Sequence, residues 1–159
     1  MKPRGPAVLL FKGRGIVSTL IRWQTRGEYS HAAILLPDGL IVESWQGHGV
    51  RVKALEDWRD VDRFEVPGMT PGQWAEAIGF ALRQVGQGYD YWAIVRFMSR
   101  RHMPQNDRWF CSELVFTALA HAGVKLFDRI ESWAVSPGLL AISPRLTPAT
   151  SFPTEGAKP

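Results

Sequence analysis

Cysteine is almost absent from this chain. Its 159 residues contain a single cysteine, Cys111, so no internal disulfide can form and the fold does not depend on an oxidising compartment. The 4 histidines are scattered, and the sequence holds no Cys/His cluster with the spacing of metal ligands. We therefore expect neither a metal ion nor another cofactor.

Long apolar runs are absent as well. The apolar run near the start, at residues 7–11, is too short for the core of a signal peptide. No stretch approaches the ~20 apolar residues of a membrane-spanning helix. These absences predict a cytoplasmic protein without a membrane span. The net charge of +4 favours anionic partners, but no motif that reads nucleic acid accompanies the basic residues, so we expect no nucleic-acid partner.

Short apolar segments separated by turn residues predict a small antiparallel sheet. The predicted strands cover residues 8–11, 29–36, 40–45, 50–52 and 61–66, with turns at 37–39 and 47–49. Helices are predicted after Thr70, where Pro71 suits the first position, and over residues 91–98. The first of these helices has an apolar stripe at Trp74, Ala77, Ile78, Ala81, Leu82 and Val85. The predicted fold class is α+β, an antiparallel β-meander or half-barrel packed against helices. We expect a single domain over residues 1–159, with a core at about 7–145 and a loop-like tail at 146–159.

The single cysteine lies at the predicted start of a buried helix. The helical repeat that follows it consists of Leu114, Val115, Ala118, Leu119 and Ala122, and the candidate capping residues are Asn106, Asp107 and Ser112. Unpaired amide groups and the helix dipole at that position favour a thiolate, which is the nucleophilic form of cysteine. The alternative is that Cys111 is simply a small buried hydrophobe, since free cysteine is among the most buried residue types.

Four histidines are candidates for a base that activates the thiol. His121 lies on the same helix as Cys111 but roughly 15 Å away, because of the helical rise. His102 lies in a basic loop and His48 in a glycine turn, so we expect both to be solvated. His31 opens an apolar strand, which is the rigid setting that a catalytic base needs. Its alternative role is that of a buried histidine bonded to a backbone carbonyl.

The hairpin that contains His31 predicts a partner for it. If residues 37–39 form the loop, Ala33 pairs with Glu43, and Glu43 becomes a diagonal neighbour of His31 at about 7–8 Å between Cα atoms. If the loop is only residues 38–39, Glu43 turns to the opposite face, and Ser44 or Gln46 faces His31 instead. We favour Glu43, because a lone carboxylate inside an apolar strand needs a polar partner.

Three segments together carry a resemblance to a known family. They are Tyr-Ser-His-Ala-Ala-Ile at 29–34, Val-Glu-Ser at 42–44 and Phe-Cys-Ser-Glu-Leu-Val at 110–115. In this order they resemble the circularly permuted branch of the papain-like NlpC superfamily, the YiiX/YebB-like hydrolases, in which the histidine strand precedes the nucleophile helix. The resemblance spans roughly residues 8–144 and implies a single catalytic domain with permuted papain-like (NlpC-type) topology.

The resemblance also implies a chemistry. The chain would be a cysteine peptidase or amidase that cleaves a peptide, a cell-wall peptide or a small amide through a thioester acyl-enzyme. Cys111 would be the nucleophile, His31 the general base and then acid, and Glu43 the orienting residue of a Cys-His-Glu triad. The backbone amide of Cys111 would hold part of the oxyanion. Tyr89 is similar to a tyrosine that lines the site in related enzymes, with Tyr91 as the alternative.

Two other functions remain open at this stage. One is a thioester acyltransferase or lipid esterase similar to the lecithin–retinol acyltransferases, in which exposed tryptophans would line an apolar groove. The candidate tryptophans are Trp23, Trp45, Trp92 and Trp109, of which Trp45 is also a candidate substrate contact. The other is a non-catalytic module that binds an anionic ligand through Arg96, Arg100, Arg101 and Arg108. Within the hydrolase hypothesis, Arg100 and Arg101 are predicted to recognise a substrate carboxylate or phosphate.

Overall fold

The computed structural model describes residues 5–13, 18–19, 21–22, 27–90 and 108–149. The first five strands are β1 (Ala7–Phe11), β2 (His31–Leu35), β3 (Leu40–Trp45), β4 (Gly49–Ala54) and β5 (Val61–Glu65). After them come α1 (Pro71–Arg83), β6 (Gly88–Tyr89), β7 (Arg108–Trp109) and α2 (Cys111–His121). A single 3₁₀ turn (Ser132–Ala134), α3 (Pro137–Ala141) and β8 (Thr147–Pro148) complete the described elements.

The six strands of the main sheet form a curled antiparallel half-barrel in the order β4-β3-β2-β1-β5-β8. Strands β2, β3 and β4 pair in sequence order through tight turns and form a meander, whereas β1 pairs with β2 and β5 across longer connections. Strands β6 and β7 form a separate parallel pair. The predicted α+β class and antiparallel half-barrel are confirmed.

Strand β2 lies at the centre of the sheet and is buried along its whole length. Ala32 and Ile34 point to the face on which α1 and α2 pack, and Ala33 and Leu35 point to a second, smaller apolar cluster on the other face. Burial on both faces explains why the strand is apolar throughout after His31, as the sequence predicts. The first residue of this strand therefore sits at the end of a rigid element.

Helix α1 begins as predicted but buries a narrower stripe. The Thr70 side chain accepts a hydrogen bond from the Gln73 amide, and the Gln73 side chain accepts one from the Thr70 amide, which is a capping box. Trp74, Ala77 and Ala81 are buried in the main core. The predicted stripe is wrong at its end, since Leu82 is 40% exposed and Val85, which follows the helix, is 46% exposed.

Helix α2 starts at Cys111, as predicted, but is capped differently from the prediction. The N-cap residue is Phe110, which supplies no side-chain hydrogen bond. Ser112 does not cap the helix; its hydroxyl donates to the carbonyl of Val135 at 2.6 Å, deep in the core. The other two predicted caps, Asn106 and Asp107, lie outside the described residues, as does the predicted helix at 91–98.

The C-terminal part of the described chain is more regular than the sequence predicts. Pro137 opens α3, with the Ser136 hydroxyl accepting from the Leu139 amide. Ordered packing continues past residue 145, because Leu146 is buried and β8 pairs with β5. The division into core and tail stays a prediction. Pro148 is tolerated there because β8 is an edge strand, where a missing amide hydrogen costs no sheet hydrogen bond. No helix in the described part of the chain is long and apolar enough to cross a membrane.

Candidate active site

The hairpin of β2 and β3 has the register that faces Glu43 toward His31. Ala33 pairs with Glu43, and the Leu36 amide donates to the Leu40 carbonyl, so residues 37–39 form the loop. This pairing excludes the alternative register, in which Ser44 or Gln46 faces His31. The buried Ser44 hydroxyl donates instead to the Trp109 carbonyl at 2.6 Å.

His31 and Glu43 form a buried, directly bonded pair. The distance from His31 Nε2 to Glu43 Oε2 is 2.7 Å, and the two residues are 8% and 3% exposed. The imidazole also lies between two aromatic rings on the neighbouring strands, with centroids 5.1 Å from Phe11 and 4.9 Å from Trp45. These contacts hold the ring in one orientation, and they leave Nδ1 as the nitrogen for a further partner.

That further partner is the thiol of Cys111. The cysteine side chain lies near enough to His31 for its charge and hydrogen bonding to raise the pKa of the imidazole. Cys111 is the first residue of α2 and is buried in a small cluster with Ile21, Tyr89 and Phe110. The structure therefore brings together Cys111, His31 and Glu43, in that order of contact.

A set of polar contacts ties the start of α2 to the hairpin strands. The Ser44 bond to the Trp109 carbonyl fixes the segment two residues before Cys111 against β3. The Trp109 indole donates to Gln87 Oε1 at 2.6 Å, and the Val50 amide donates to the Gln87 carbonyl at 2.8 Å. Gln87 thus links β4 to the strand that leads into the cysteine.

Burial and charge act in opposite directions on His31. Burial lowers the pKa of His31, but its contacts with Cys111 and Glu43 outweigh burial and raise the pKa to about 9. Burial raises the pKa of Glu43, but hydrogen bonds from His31 and Arg51 outweigh this and lower it. At neutral pH the pair is therefore an imidazolium and a carboxylate, and an imidazolium is the partner that stabilises a thiolate.

Arg51 is a residue of this site that the sequence analysis missed. Its Nε and one terminal nitrogen donate to Glu43 Oε1 at 3.0 and 2.9 Å. Arg51 lies directly opposite Glu43 in the pairing of β3 with β4. The signal was available in the sequence, because the glycine turn at 47–49 predicts a second hairpin whose register places the two residues side by side.

Some of the other predicted site residues lie near the catalytic contacts, and the rest lie outside the described residues. Tyr89 is buried, packs against Phe110 at 5.9 Å between ring centroids and shares the cluster of Cys111. Trp45 is 40% exposed beside His31, which suits a substrate contact. Tyr91, Arg100 and Arg101 lie outside the described residues and stay predictions, as do Arg96, His102, Trp23 and Trp92.

The remaining histidines and tryptophan lie away from the catalytic contacts. His48 is exposed in its turn, as predicted, and bonds the Gln46 carbonyl. His121 is exposed at the far end of α2, as predicted, and packs on Phe80. Trp109 is half-buried and bonded to Gln87, so of the described candidates for an apolar groove only Trp45 is well exposed.

Comparison with known proteins places the chain in a family. Residues 5–131 match the family model of the permuted papain-like amidases, YaeF/YiiX, C92 family. The chain belongs to this family. The predicted resemblance to YiiX-like permuted papain-like enzymes is thereby confirmed, and the family is one of amidases and peptidases. Its wider placement in the NlpC superfamily stays a prediction.

Two relatives of this family member show how far the likeness extends. It is 30% identical over 168 residues to the probable lipoprotein peptidase YaeF of Escherichia coli (strain K12), covering 83% of this chain. The chain spans 61% of the length of that relative. Because YaeF is named a lipoprotein, the cytoplasmic location of this chain stays a prediction. The fold is similar to the crystal structure of yiiX from Escherichia coli O157:H7, with a TM-score of 0.70, 18% identity and coverage of 96% of this chain and 99% of that one.

The yiiX protein is described as a metalloprotein, which raises the question of a metal here. Among the residues that the structure describes, no three His, Cys, Asp or Glu side chains come together as metal ligands. Both oxygens of Glu43 already accept hydrogen bonds, one from His31 and one from Arg51. The described site does not fit a metal ion, and we derive no step through one.

Proposed function

We propose that this chain is a cysteine amidase or peptidase that hydrolyses an amide bond through a thioester formed on Cys111. The observation that supports this is the unbroken chain of contacts from the Cys111 thiol through the His31 ring to the Glu43 carboxylate. A thiol, an imidazole and a buried carboxylate in this order are the parts of a nucleophile, its base and the group that orients the base.

In acylation, the proton of the thiol already resides on His31 as the imidazolium, and the Cys111 sulfur attacks the carbonyl carbon of the amide. The oxyanion that forms accepts a hydrogen bond from the backbone amide of Cys111, which suits this task because Phe110 supplies no side-chain cap at this helix start. The carbon–nitrogen bond breaks as the His31 imidazolium returns its proton to the departing amine. The product of this step is a thioester and a free amine.

In deacylation, His31 removes a proton from a water molecule, and the hydroxide attacks the thioester carbonyl. The carbon–sulfur bond breaks, the carboxylic acid leaves, and Cys111 again pairs with the imidazolium. Glu43 stays ionised throughout and stabilises the charge on His31, because its pKa is held below the ordinary value.

We propose further that the substrate is a small-molecule or peptide amide with an anionic group. A cavity of about 560 Å³ is lined by Lys12, Thr19, Arg22, Gly27 and Glu28. Lys12 directly follows Phe11, whose ring contacts His31. Ile21, between two of these residues in sequence, packs in the cluster of Cys111. Lys12 already pairs with Asp62 at 2.8 Å, so Arg22 is the lining cation best placed for a carboxylate.

The test is amide hydrolysis by the wild type and by Cys111→Ala, with circular dichroism to show that both are folded. The substrates are cell-wall peptides and small amides, each with and without a free carboxylate. We expect turnover that Cys111→Ala abolishes, and a preference for the carboxylate that Arg22→Gln removes. Turnover unchanged in Cys111→Ala would refute the hydrolase. Transfer of the acyl group to an added amine or alcohol in preference to water would identify the enzyme as an acyltransferase.

A further inference from the structure

The proposed catalytic pair, His31 and Glu43, forms a closed ring of contacts with two further side chains. Starting from the His31–Glu43 bond, Arg51 donates twice to the second oxygen of Glu43. The Arg51 guanidinium then lies over the Trp45 ring, 5.3 Å from its centroid. The Trp45 ring contacts the His31 ring edge-on, with 4.9 Å between ring centroids, and this contact closes the ring. Three strands contribute to the ring, since β2 carries His31, β3 carries Glu43 and Trp45, and β4 carries Arg51.

The burial of Glu43 makes its contact with Arg51 important. A carboxylate that is 3% exposed needs a donor at each oxygen, because a buried unpaired oxygen loses its hydration without compensation. His31 satisfies Oε2 and Arg51 satisfies Oε1. Without Arg51, the carboxylate gains by turning toward solvent or another donor, and that rotation breaks its bond to His31.

Few other charges face this pair. Helix α2 presents Cys111 to His31, and β4 presents Arg51 to Glu43. Strand β1 presents the uncharged ring of Phe11, and the next residue, Lys12, is engaged with Asp62. Apart from His31 itself, Arg51 is the charged side chain in the described residues that bonds Glu43, so the orientation of the carboxylate depends on it.

We propose that Arg51 is a positioning residue, which holds the Glu43 carboxylate against His31 and fixes Trp45 beside the imidazole. Arg51 acts through Glu43 and does not contact the reacting atoms. This inference rests on the proposed cysteine hydrolase. A planar guanidinium is suited to the task, since it can donate two bonds to one carboxylate and still stack on an aromatic ring.

The proposal is tested with Arg51→Met and Arg51→Lys, alone and combined with Glu43→Gln. The matched control is Lys53→Met, which removes the same charge from an exposed position two residues along the same strand. The readouts are the pH profile of kcat/KM and the NMR titration of the His31 ring, assigned by comparison with His31→Gln. The NMR titration needs no substrate, so it separates a failure of this proposal from a failure of the proposed function.

If Arg51 positions Glu43, Arg51→Met lowers kcat/KM about 10-fold, the loss of about one charged hydrogen bond. It also moves the His31 titration about one pH unit lower, in the same direction as Glu43→Gln. Arg51→Lys recovers part of both effects, and Lys53→Met shows neither. In the Glu43→Gln background, Arg51→Met changes kcat/KM by less than about twofold.

Two results would overturn the proposal. A purely electrostatic cation near His31 disfavours the imidazolium, so its removal would leave the titration of His31 unchanged or move it to higher pH. Effects of Arg51→Met and Glu43→Gln that multiply in the double variant would show that Arg51 acts independently of Glu43, for example on the substrate.

Discussion

The protonation of His31 depends on which of two opposing effects is larger. Burial alone would make this imidazole neutral at physiological pH, because a charge in an apolar site loses its hydration. The contacts with Cys111 and Glu43 reverse that outcome and raise the pKa to about 9. Each contact comes from a different part of the chain, so the catalytic form of the residue is a property of the assembled site.

The pH dependence of activity follows from that pKa. If the active form contains imidazolium, kcat/KM should fall as the pH rises through about 9. Glu43→Gln removes a charge that favours the imidazolium, so this alkaline limb should move to lower pH and the maximum kcat/KM should fall by about 10-fold or more. The measurement is kcat/KM between pH 6 and pH 10 for both proteins (about 9 being the expected midpoint of the wild type). An unmoved limb in Glu43→Gln would show that Glu43 does not act on His31.

At the scale of elements, two hairpins and the segment at Gln87 that contacts β4 position the site. The β2–β3 hairpin brings Glu43 to His31, and the β3–β4 hairpin brings Arg51 to Glu43. The start of β4 is pressed against the backbone at Gln87, where the Val50 amide donates to the Gln87 carbonyl. This close approach requires Gly49, which has a φ of +70° and whose added Cβ would meet the Gln87 carbonyl oxygen at 2.0 Å.

Comparing alanine substitutions at Gly49 and Gly68 should separate the cost of backbone strain from the cost of a steric clash. Gly49→Ala should destabilise the protein by at least ~2 kcal/mol, because a left-handed backbone is strained for alanine and the Cβ also collides with the backbone. Gly68→Ala is the control, since Gly68 has a similar φ of +77° but nothing within 4 Å of its Cβ position. Urea unfolding of both variants measures the difference. Equal losses of unfolding free energy in the two variants would mean that a Cβ at position 49 meets no clash at Gln87.

The hydroxyl of Ser44 provides a second test at this scale. Ser44→Ala removes the shorter of two hydrogen bonds to the Trp109 carbonyl and leaves the one from the Asp90 amide at 3.1 Å, so we expect a loss of ~1 kcal/mol in unfolding free energy together with a fall in kcat/KM. Ser143→Ala removes a comparable buried bond, to the Leu126 carbonyl, outside the site. It should lower stability with little change in kcat/KM. A Ser44→Ala enzyme with full activity would show that this link does not position Cys111.

At the scale of the whole molecule, one core joins the sheet to both long helices. Side chains from β1 and β2, from α1 and from α2 pack in a single buried cluster. The catalytic pair lies at the end of β2, so folding of the domain and formation of the ion pair are linked. A group whose pKa differs between the folded and unfolded chain makes stability depend on pH.

The direction of that dependence can be worked out for each partner. The pKa of His31 is raised from 6.5 to about 9, so its contribution to stability is complete below pH 6.5 and is lost as the pH rises through about 9. The pKa of Glu43 is lowered from 4.5, so its contribution is present above that pH and is lost as the pH falls through its lowered pKa. Between these limits, the pair stabilises the fold fully.

The unfolding free energy of the wild type should therefore fall between pH 6.5 and about 9 by more than that of His31→Gln, which lacks the titrating ring. Urea unfolding at several pH values measures both slopes, and the difference between them isolates His31. Parallel slopes would mean that the imidazolium is no more stable in the folded protein than in the unfolded chain.

The sequence by itself determined those features that depend on local geometry. Turn residues and alternating side chains were enough to predict the register that faces Glu43 toward His31, and helical spacing was enough to predict a helix starting at Cys111. Both hold because hydrogen bonding and side-chain direction repeat over a few residues. The predicted exposure of His48 follows from the same local reasoning.

Only the tertiary structure decided which buried polar groups meet across elements. Ser112 turns to the Val135 carbonyl and not to the helix end, Leu146 enters the core, and Arg51 completes the contacts of Glu43. Local periodicity cannot predict these pairings, because each depends on how two segments far apart in sequence pack and on which unpaired group needs a partner there. The contact of Cys111 with His31, from which the proposed chemistry starts, is of this kind.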